Sequence, residues 1–476
     1  MSYLTPDNKF VNRMKHIHMI GIGGSGMSGI AEVLHNLGFS VSGSDIQQGE
    51  VTNRLTKMGI NVFIGHNAAN IDSANVVVIS TAIQAENPEL LAAREQNKAV
   101  LSRAEMLAEL MRFKIGIAVA GTHGKTTTTS LVASVLAAGH LDPTFVIGGL
   151  LNSAGSNAAL GSSQYLVAGA DESDGSFLLL QPILAIVTNI DADHMQTYDG
   201  KFSLLKQAFE SFLHHLPFYG VAVLCIDDEN VAELANSLVR PTITYGLSEN
   251  AMIRATNIEH NKQNMCFDVV QEGKTIATKM IINLPGLHNV QNALAAIAIA
   301  IELGISMENI KFGLEQFEGI GRRFNLTQNL QCKAGTFTLV DDYAHHPTEL
   351  KAAIDACRGG WNNRLVVVFQ PHRYSRTRDL FDEFTETLNQ ADVLVLTDVY
   401  AAGEESISGF SSGDLSRSIR TRGKIDPIYI AQVENLSENL NAILQDGDLV
   451  LFAGAGSIGQ VINSIVKNNG LEGNDA

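Results

Sequence analysis

Ala120-Gly121-Thr122-His123-Gly124-Lys125-Thr126-Thr127-Thr128 decides the fold. The stretch follows the apolar run Lys114–Ala120 and leads into an apolar segment, so it reads as the turn between a buried strand and a helix. Glycines in such a turn let backbone N–H groups close on a phosphate. The Lys125 ammonium can neutralise β- and γ-phosphate charge, and the Thr126 hydroxyl can ligate Mg2+. The common form of this phosphate loop carries glycine where this chain has Val119, so the spacing is one residue shorter. The competing reading is a helix N-terminus that is merely rich in threonine.

On either side, β-branched or apolar runs alternate with amphipathic stretches, the pattern of βαβ units around parallel sheets. Upstream, His16–Ile20, Phe39–Val41, Val76–Ile79 and Val100–Leu101 read as strands, with helices at Met27–Leu37 and Ala104–Met111. Downstream, Thr144–Ile147, Tyr165–Ala168, Leu184–Thr188 and Val221–Cys225 are apolar on both faces, as buried parallel strands require. Residues 251–284 alternate polar and apolar around Gln271-Glu272-Gly273 and read as antiparallel edge strands, followed by a helix at Asn289–Leu303. The pattern breaks around Gly319-Ile320-Gly321-Arg322-Arg323, and a third series follows at Thr336–Val340, Leu365–Phe369, Val393–Leu396 and Leu449–Phe452. The tail Asn468–Ala476 is expected to fray. The expected fold is α/β in three consecutive domains. Residues 1–112 form a Rossmann-like domain, 113–325 a central P-loop ATPase-like parallel sheet, and 326–476 a C-terminal Rossmann-like domain.

The 476 residues are 45% hydrophobic and 17% charged, a globular profile able to bury several cores. A formal net charge of −17 repels a phosphate backbone, so nucleic acid is not an expected partner. The cysteines Cys225, Cys266, Cys332 and Cys357 are far apart and form no C-x-x-C pair, which favours reduced thiols. The N-terminus has no apolar signal region, and no long apolar run escapes polar interruption. A cytoplasmic protein without membrane insertion is expected.

Gly21-Ile22-Gly23-Gly24-Ser25-Gly26 also sits between a strand and a helix, with Asp45 about 20 residues on, as a dinucleotide fingerprint requires. Alone it fits a nicotinamide enzyme equally well. Ala170-Asp171-Glu172-Ser173 and Thr188-Asn189-Ile190-Asp191-Ala192-Asp193-His194 close two central strands at the same sheet edge as the phosphate loop. Glu172 and His194 there are candidate Mg2+ ligands beside Thr126, against a reading as turn residues or helix caps.

Together these motifs resemble the Mur ligase superfamily of ATP-dependent amino-acid ligases, over nearly the whole chain. Leu287-His288-Asn289-Val290-Gln291-Asn292-Ala293 and Gly319-Ile320-Gly321-Arg322-Arg323-Phe324 carry the resemblance further. Asp342-Tyr343-Ala344-His345-His346-Pro347-Thr348-Glu349 and Pro371-His372-Arg373-Tyr374-Ser375-Arg376 point to its alanine-adding branch. The resemblance implies an amide bond formed between L-alanine and the lactoyl carboxylate of UDP-N-acetylmuramate, with ATP and Mg2+. It implies that Gly21, Gly23, Gly24, Ser25 and Gly26 serve the UDP pyrophosphate, with Asp45, Ser80, Thr81, Ser102 and Arg103 as further contacts. Gly121, Thr122, His123, Gly124, Lys125, Thr126 and Thr127 would hold the ATP phosphates, Asn289 and Asn292 the adenine end, Arg323 the γ-phosphate and Asp342 the ribose. Arg322 is expected to be a solvated neighbour. Tyr343, His345, His372, Arg373 and Arg376 would take the amino acid. Lys125, Arg323, His345 and His372 are the candidate catalytic residues, and Thr126, Glu172 and His194 the metal set.

Relatives in the superfamily carry a carbamylated lysine at a position that here aligns with Phe209, so that feature is not expected. His345 and His346 could instead brace the helix that starts at Pro347. The rival readings are a recycling ligase that adds a tripeptide to the same nucleotide sugar, a nicotinamide dehydrogenase, and a nucleotide-gated binding module. The expected oligomeric state is a monomer or weak homodimer.

Overall fold

The computed structural model describes residues 15–80, 82–151 and 156–471, which form three sheets. The first is wholly parallel, in the order Asn61–Ile64, Ser40–Asp45, His16–Ile20, Val76–Ile79, Ala99–Ser102. The strand order reverses between His16–Ile20 and Val76–Ile79, which opens a crevice at their carboxyl ends. Asn61–Ile64 was not foreseen in the sequence. It is a half-exposed edge strand of four residues between Gly59 and Gly65, and its apolar run Val62-Phe63-Ile64 is too short to stand out.

The second sheet has ten strands, in the order Lys274–Ile282, Asn264–Gln271, Ile253–Asn261, Thr242–Gly246, Val221–Cys225, Leu184–Val187, Ile115–Ala120, Tyr165–Gly169, Thr144–Leu151, Ser156–Ala159. Its parallel centre is buried on both faces, as the unbroken apolar runs require. The turn at Glu272-Gly273 has both residues at positive φ, 47° and 79°, the geometry that lets a two-residue loop join neighbouring strands. Val119 is fully buried within its strand, and the turn after the strand falls to Gly121 and Gly124 instead. Beneath this sheet, helix Phe202–His214 buries Leu205, Ala208, Phe209, Phe212 and Leu213, a 3.6-residue stripe. Phe177 packs edge-on against Phe209 at 5.2 Å and stacks on Phe212 at 5.1 Å. The position aligned with a carbamylated lysine is therefore a core aromatic.

The third sheet runs Asn325–Cys332, Gly335–Asp342, Asp448–Ala453, Leu365–Phe369, Val393–Leu396, Ile428–Tyr429. All its neighbours are parallel except the first pair, which is an antiparallel hairpin with a bulge between Thr327 and Leu330. Asn325–Cys332 occupies residues that the sequence pattern leaves as a break, because its polar residues lie on an outer edge. Nor does the tail fray from Asn468. Gln331 donates its N–H to the Asn469 carbonyl at 3.0 Å and accepts that of Leu471 at 2.9 Å, and residues 472–476 lie outside the described part. By internal contacts the chain forms two compact units. One runs through Thr256 and takes in Asp268–Met280 and Gln291–Glu318; the other takes Asn257–Phe267, Ile281–Val290 and the chain from Gly319. Among the described residues no helix is long and apolar enough to cross a membrane.

Truncating Phe209 would leave a cavity between Phe177 and helix Phe202–His214. Phe209→Ala should lower the unfolding free energy by about 3–5 kcal/mol in urea titrations. A loss under about 1 kcal/mol would mean that the aromatic cluster is not part of the cooperative core.

Candidate active site

At the crevice of the first sheet lies a cavity of about 890 Å³. Gly21, Gly23, Gly24, Asp45 and Ser80 line it, together with His66 and Asn87. Gly21 takes a positive φ of 79° to turn the chain out of its strand, and the Gly23 N–H donates to Asp45 Oδ2 at 2.8 Å. Helix Ser25–Asn36 begins at Gly24 with no side-chain cap, so its first N–H groups face outward as anion donors. A side chain at Gly26 would meet Arg103 Cδ at 3.0 Å, which places the Arg103 stem against this helix start. The Arg103 guanidinium lies 3.9 Å from the Asp171 carboxylate. Ser80 accepts a long contact from the Ala82 N–H at 3.4 Å. Ser102 caps helix Arg103–Arg112, accepting the Glu105 N–H at 3.2 Å while Glu105 accepts its own N–H at 2.6 Å. Thr81 and the side chain of Ser25 lie outside the described residues.

In the phosphate loop, Gly121 is required by space: a Cβ there would sit 2.0 Å from Thr188 Oγ1, at a φ of 131°. Thr188 and Asn189 lock the loop from the neighbouring strand end. The Thr188 hydroxyl and the Asn189 amide donate to the His123 carbonyl at 2.6 and 3.0 Å, and Asn189 Oδ1 accepts the His123 N–H at 2.8 Å. The His123 ring is 3.0 Å from Asp191, whose N–H donates to Thr122 Oγ1 at 2.9 Å. Gly124 has φ 82°, and Asn292 Oδ1 fills the space that a side chain there would need while accepting the Thr128 hydroxyl at 3.0 Å. Thr127 is buried. Helix Lys125–Ala138, like the one after the first loop, starts without a side-chain cap. Thr188, Asn189 and Asp191 stand in the quoted sequence stretch, yet only three-dimensional pairing reveals them as the braces of this loop.

Lys125 Nζ meets both Glu172 oxygens, at 3.0 and 2.7 Å, and donates to the Gly121 and Thr122 carbonyls at 2.7 and 3.1 Å. Glu172 is almost fully buried. Burial raises its pKa even against the attraction of Lys125, so this carboxylate sits where additional positive charge would be favourable. Thr126 Oγ1 faces Gly148, whose added Cβ would lie 3.5 Å away. His194 sits at φ 55°, its Nε2 3.5 Å from Asp193 Oδ2. A hydroxyl and a buried carboxylate are oxygen donors that suit Mg2+, and the imidazole is the softer member of the set.

In the other unit, the amino-acid candidates lie after two strands, Tyr343 and His345 after Gly335–Asp342, and His372, Arg373 and Arg376 after Leu365–Phe369. Asp342 accepts the N–H groups of Phe324 and Ala344, both at 2.8 Å, and burial pushes its pKa up to about 6. The Arg323 guanidinium lies 5.3 Å from the centre of the Tyr343 ring and 3.9 Å from Glu349. Arg322 departs from the solvated neighbour expected of it. It pairs with Asp341 at 3.3 Å and donates to the Gly454 carbonyl at 2.6 Å, tying two strand ends together. Asn289, buried on helix Leu287–Glu302, donates to the Pro285 carbonyl at 2.8 Å. His346 caps the next helix, accepting the Thr348 N–H at 3.3 Å.

The two candidate bases differ in which nitrogen is free. His345 Nδ1 lies 3.0 Å from the Tyr343 carbonyl and 3.3 Å from Glu349 Oε2. Both are acceptors, so Nδ1 carries the proton and Nε2 keeps the lone pair. His372 Nδ1 instead faces Arg376 Nη1 at 3.3 Å. Arginine can only donate, which occupies that lone pair and leaves the His372 proton on Nε2. Burial lowers the pKa of both rings, that of His372 to about 4, with the neighbouring His345, Arg376 and Arg373 adding to the shift. The His372 ring stacks on Tyr400 at 5.5 Å, and Arg373 lies 3.6 Å from Glu404. Glu349 and Glu404, which orient these groups, carried no separate signal in the sequence.

Three family descriptions match the chain in succession: Mur ligase family, catalytic domain over residues 16–115; Mur ligase middle domain over 119–300; and Mur ligase, glutamate ligase domain over 322–456. The UDP-N-acetylmuramate--L-alanine ligase of Burkholderia vietnamiensis is 56% identical over 97% of this chain and 99% of its own length. That of Burkholderia orbicola is 55% identical over 96% and 98%. The crystal structure of UDP-N-acetylmuramate-alanine ligase from Thermotoga maritima superposes with a TM-score of 0.80 at 29% identity, covering 95% of this chain and 98% of that one. With three successive domains matched and more than half the residues shared with full-length relatives, the chain belongs to the Mur ligase family.

Proposed function

We propose that this protein is an ATP-dependent ligase that joins L-alanine to the lactoyl carboxylate of UDP-N-acetylmuramate through an acyl phosphate, a step of peptidoglycan precursor synthesis in the cytoplasm. The observation that carries it is the end-to-end 56% identity to a relative named for that reaction. The geometry supports it with two glycine turns suited to phosphates, one at each of two sheets. A murein peptide ligase from Psychrobacter arcticus shares the fold with a TM-score of 0.67, but at 22% identity it favours no tripeptide substrate here.

In this reading, residues 1–112 take the nucleotide sugar, 113–325 take ATP, and 326–476 take the amino acid, in a monomer or weak homodimer. A carboxylate is a poor acyl donor, so the γ-phosphoryl of ATP first passes to it and the alanine amine then displaces phosphate. Lys125 neutralises charge developing on the transferred phosphoryl, and Arg323 keeps the γ-phosphate role that the resemblance implies. Thr126 and Glu172, with His194, would hold Mg2+, which offsets phosphate charge when bound. Arg376 and Arg373 take the alanine carboxylate. His345, with its lone pair on Nε2, accepts the proton from the amine, while His372, whose lone pair Arg376 occupies, orients that arginine.

Phosphate release from ATP with UDP-N-acetylmuramate should require L-alanine; release only with the tripeptide would assign the recycling reaction instead. Lys125→Met should reduce kcat by about 10²–10³-fold with a much smaller change in ATP affinity, measured by steady-state kinetics beside nucleotide titration. Equal losses in both would make Lys125 a binding group only.

His345→Gln should cost about 10²-fold in rate, whereas His372→Gln should chiefly raise the alanine KM. Both folded-state pKa values lie below 6.5, so each ring is neutral at pH 7 and stays neutral as pH falls past that value. The acid limb of kcat/KM for alanine should therefore lie below pH 6.5. A limb at or above that value, or a larger rate loss in His372→Gln, would exclude His345 as the acceptor.

A further inference from the structure

Glu89 is fully buried beside the nucleotide-sugar cavity and has no role in the reaction as described so far. Local sequence places it. Asn87 caps helix Pro88–Glu95, accepting the Glu89 N–H at 2.9 Å, with Pro88 at the first position and Glu89 in the first turn. That turn favours a negative charge. One carboxylate oxygen, Oε1, accepts two donors, the Asn70 amide at 2.5 Å and the Asn67 N–H at 3.2 Å. The other, Oε2, accepts the Ser44 hydroxyl at 2.5 Å and lies 3.5 Å from His18 Nε2 and 3.4 Å from His66 Nδ1. Burial alone would raise the Glu89 pKa, but the facing His18 and the hydrogen bonds from Ser44, Asn70 and Asn67 hold it at about 2, so the group is an acceptor only.

The hydroxyl of Ser44 has one proton, and it goes to Glu89. Ser44 Oγ also lies 3.0 Å from His66 Nδ1. With its proton committed, Ser44 can only accept from that nitrogen, as can Glu89 Oε2 beyond it. Nδ1 of His66 is therefore the donor. The neutral ring is left with a lone pair on Nε2, and His66 lines the cavity. We propose that Glu89, acting through Ser44, is a positioning residue that fixes His66 in its Nδ1–H form, so that Nε2 accepts an N–H of the nucleotide sugar, either the uracil imide or the acetamide. The ligand part rests on the reading of this cavity as the UDP-N-acetylmuramate site; the tautomer does not.

The arrangement makes Glu89→Gln a directional test. The two donors at Oε1 oblige the glutamine to present its carbonyl oxygen there, which turns its NH2 towards Ser44. Ser44 must then accept from Gln and give its proton to His66 Nδ1, and His66 becomes an Nε2–H donor facing the ligand N–H. Long-range spectra of 15N-histidine-labelled protein, with the His66 signal identified by its loss in His66→Phe, should give the Nδ1–H pattern in the native chain and the Nε2–H pattern in Glu89→Gln. Both variants should raise the KM for UDP-N-acetylmuramate about tenfold while the KM for ATP moves by less than about twofold, the size expected for one lost hydrogen bond. UMP binding weakened to the same extent would assign the uracil imide; unchanged UMP binding with the raised KM would assign the acetamide. An Nε2–H or doubly protonated His66 in the native chain overturns the proposal, and so does an unmoved nucleotide-sugar KM in His66→Phe. If Glu89→Gln fails to fold, the native spectrum and His66→Phe still decide. A native chain that does not turn over UDP-N-acetylmuramate would instead sink the functional reading and leave the tautomer to stand on the spectrum.

Discussion

The pairing of Lys125 with Glu172 is the contact on which the phosphate loop depends. A carboxylate that is nearly fully buried costs several kcal/mol to desolvate unless a cation and hydrogen bonds answer it. Lys125 answers it, but the ammonium also reaches back to the Gly121 and Thr122 carbonyls. One cation therefore closes the loop upon itself and fastens it to the next strand end. The glycines follow from this closure: Gly121 has room for no side chain against Thr188, and Gly124 has none against Asn292. The same site keeps an excess need for positive charge, because burial outweighs the pair and raises the Glu172 pKa. A loop held in this way is preorganised for a polyanion accompanied by a cation, and little reorganisation is left for the moment of reaction.

What the sequence disclosed follows from how each signal is encoded. Buried parallel strands announce themselves by runs apolar on both faces, and His16–Ile20, Val76–Ile79, Val221–Cys225, Leu365–Phe369 and Val393–Leu396 have the ends that their composition implies. Most strands that the sequence leaves unassigned are edges; Thr242–Gly246 is the exception, paired in parallel on both sides but only half-buried over its first three residues. Asn325–Cys332 has one neighbour and a polar outer face, so hydropathy alone does not separate it from a loop, while Asn61–Ile64, although Val62-Phe63-Ile64 is apolar, is only four residues long and half-exposed at the edge of the first sheet. The glycine turns were legible because glycine has few reasons to recur at a strand end before a helix. The braces were not, because Thr188, Asn189 and Glu349 act on residues distant in sequence or through a geometry that any polar residue could adopt. Arg322 illustrates the same limit: nothing adjacent to it in sequence indicates that its partners are Asp341 and Gly454, the latter 132 positions away.

Across both units, imidazoles recur beside groups whose hydrogen-bonding sense is fixed. A backbone carbonyl can only accept, an arginine can only donate, and a hydroxyl committed to a carboxylate can only accept once more. His345 meets the first kind, His372 the second and His66 the third. Each contact contributes about 1 kcal/mol to stability. Its effect on function is larger, because it decides which ring nitrogen faces the ligand and whether that nitrogen can take a proton. In this way groups with no acid–base role of their own, the Tyr343 carbonyl and the single proton of Ser44, fix which nitrogen of the neighbouring imidazole holds the proton. A reading that counts histidines cannot tell these cases apart, whereas one that follows each proton to its acceptor separates a base from a brace.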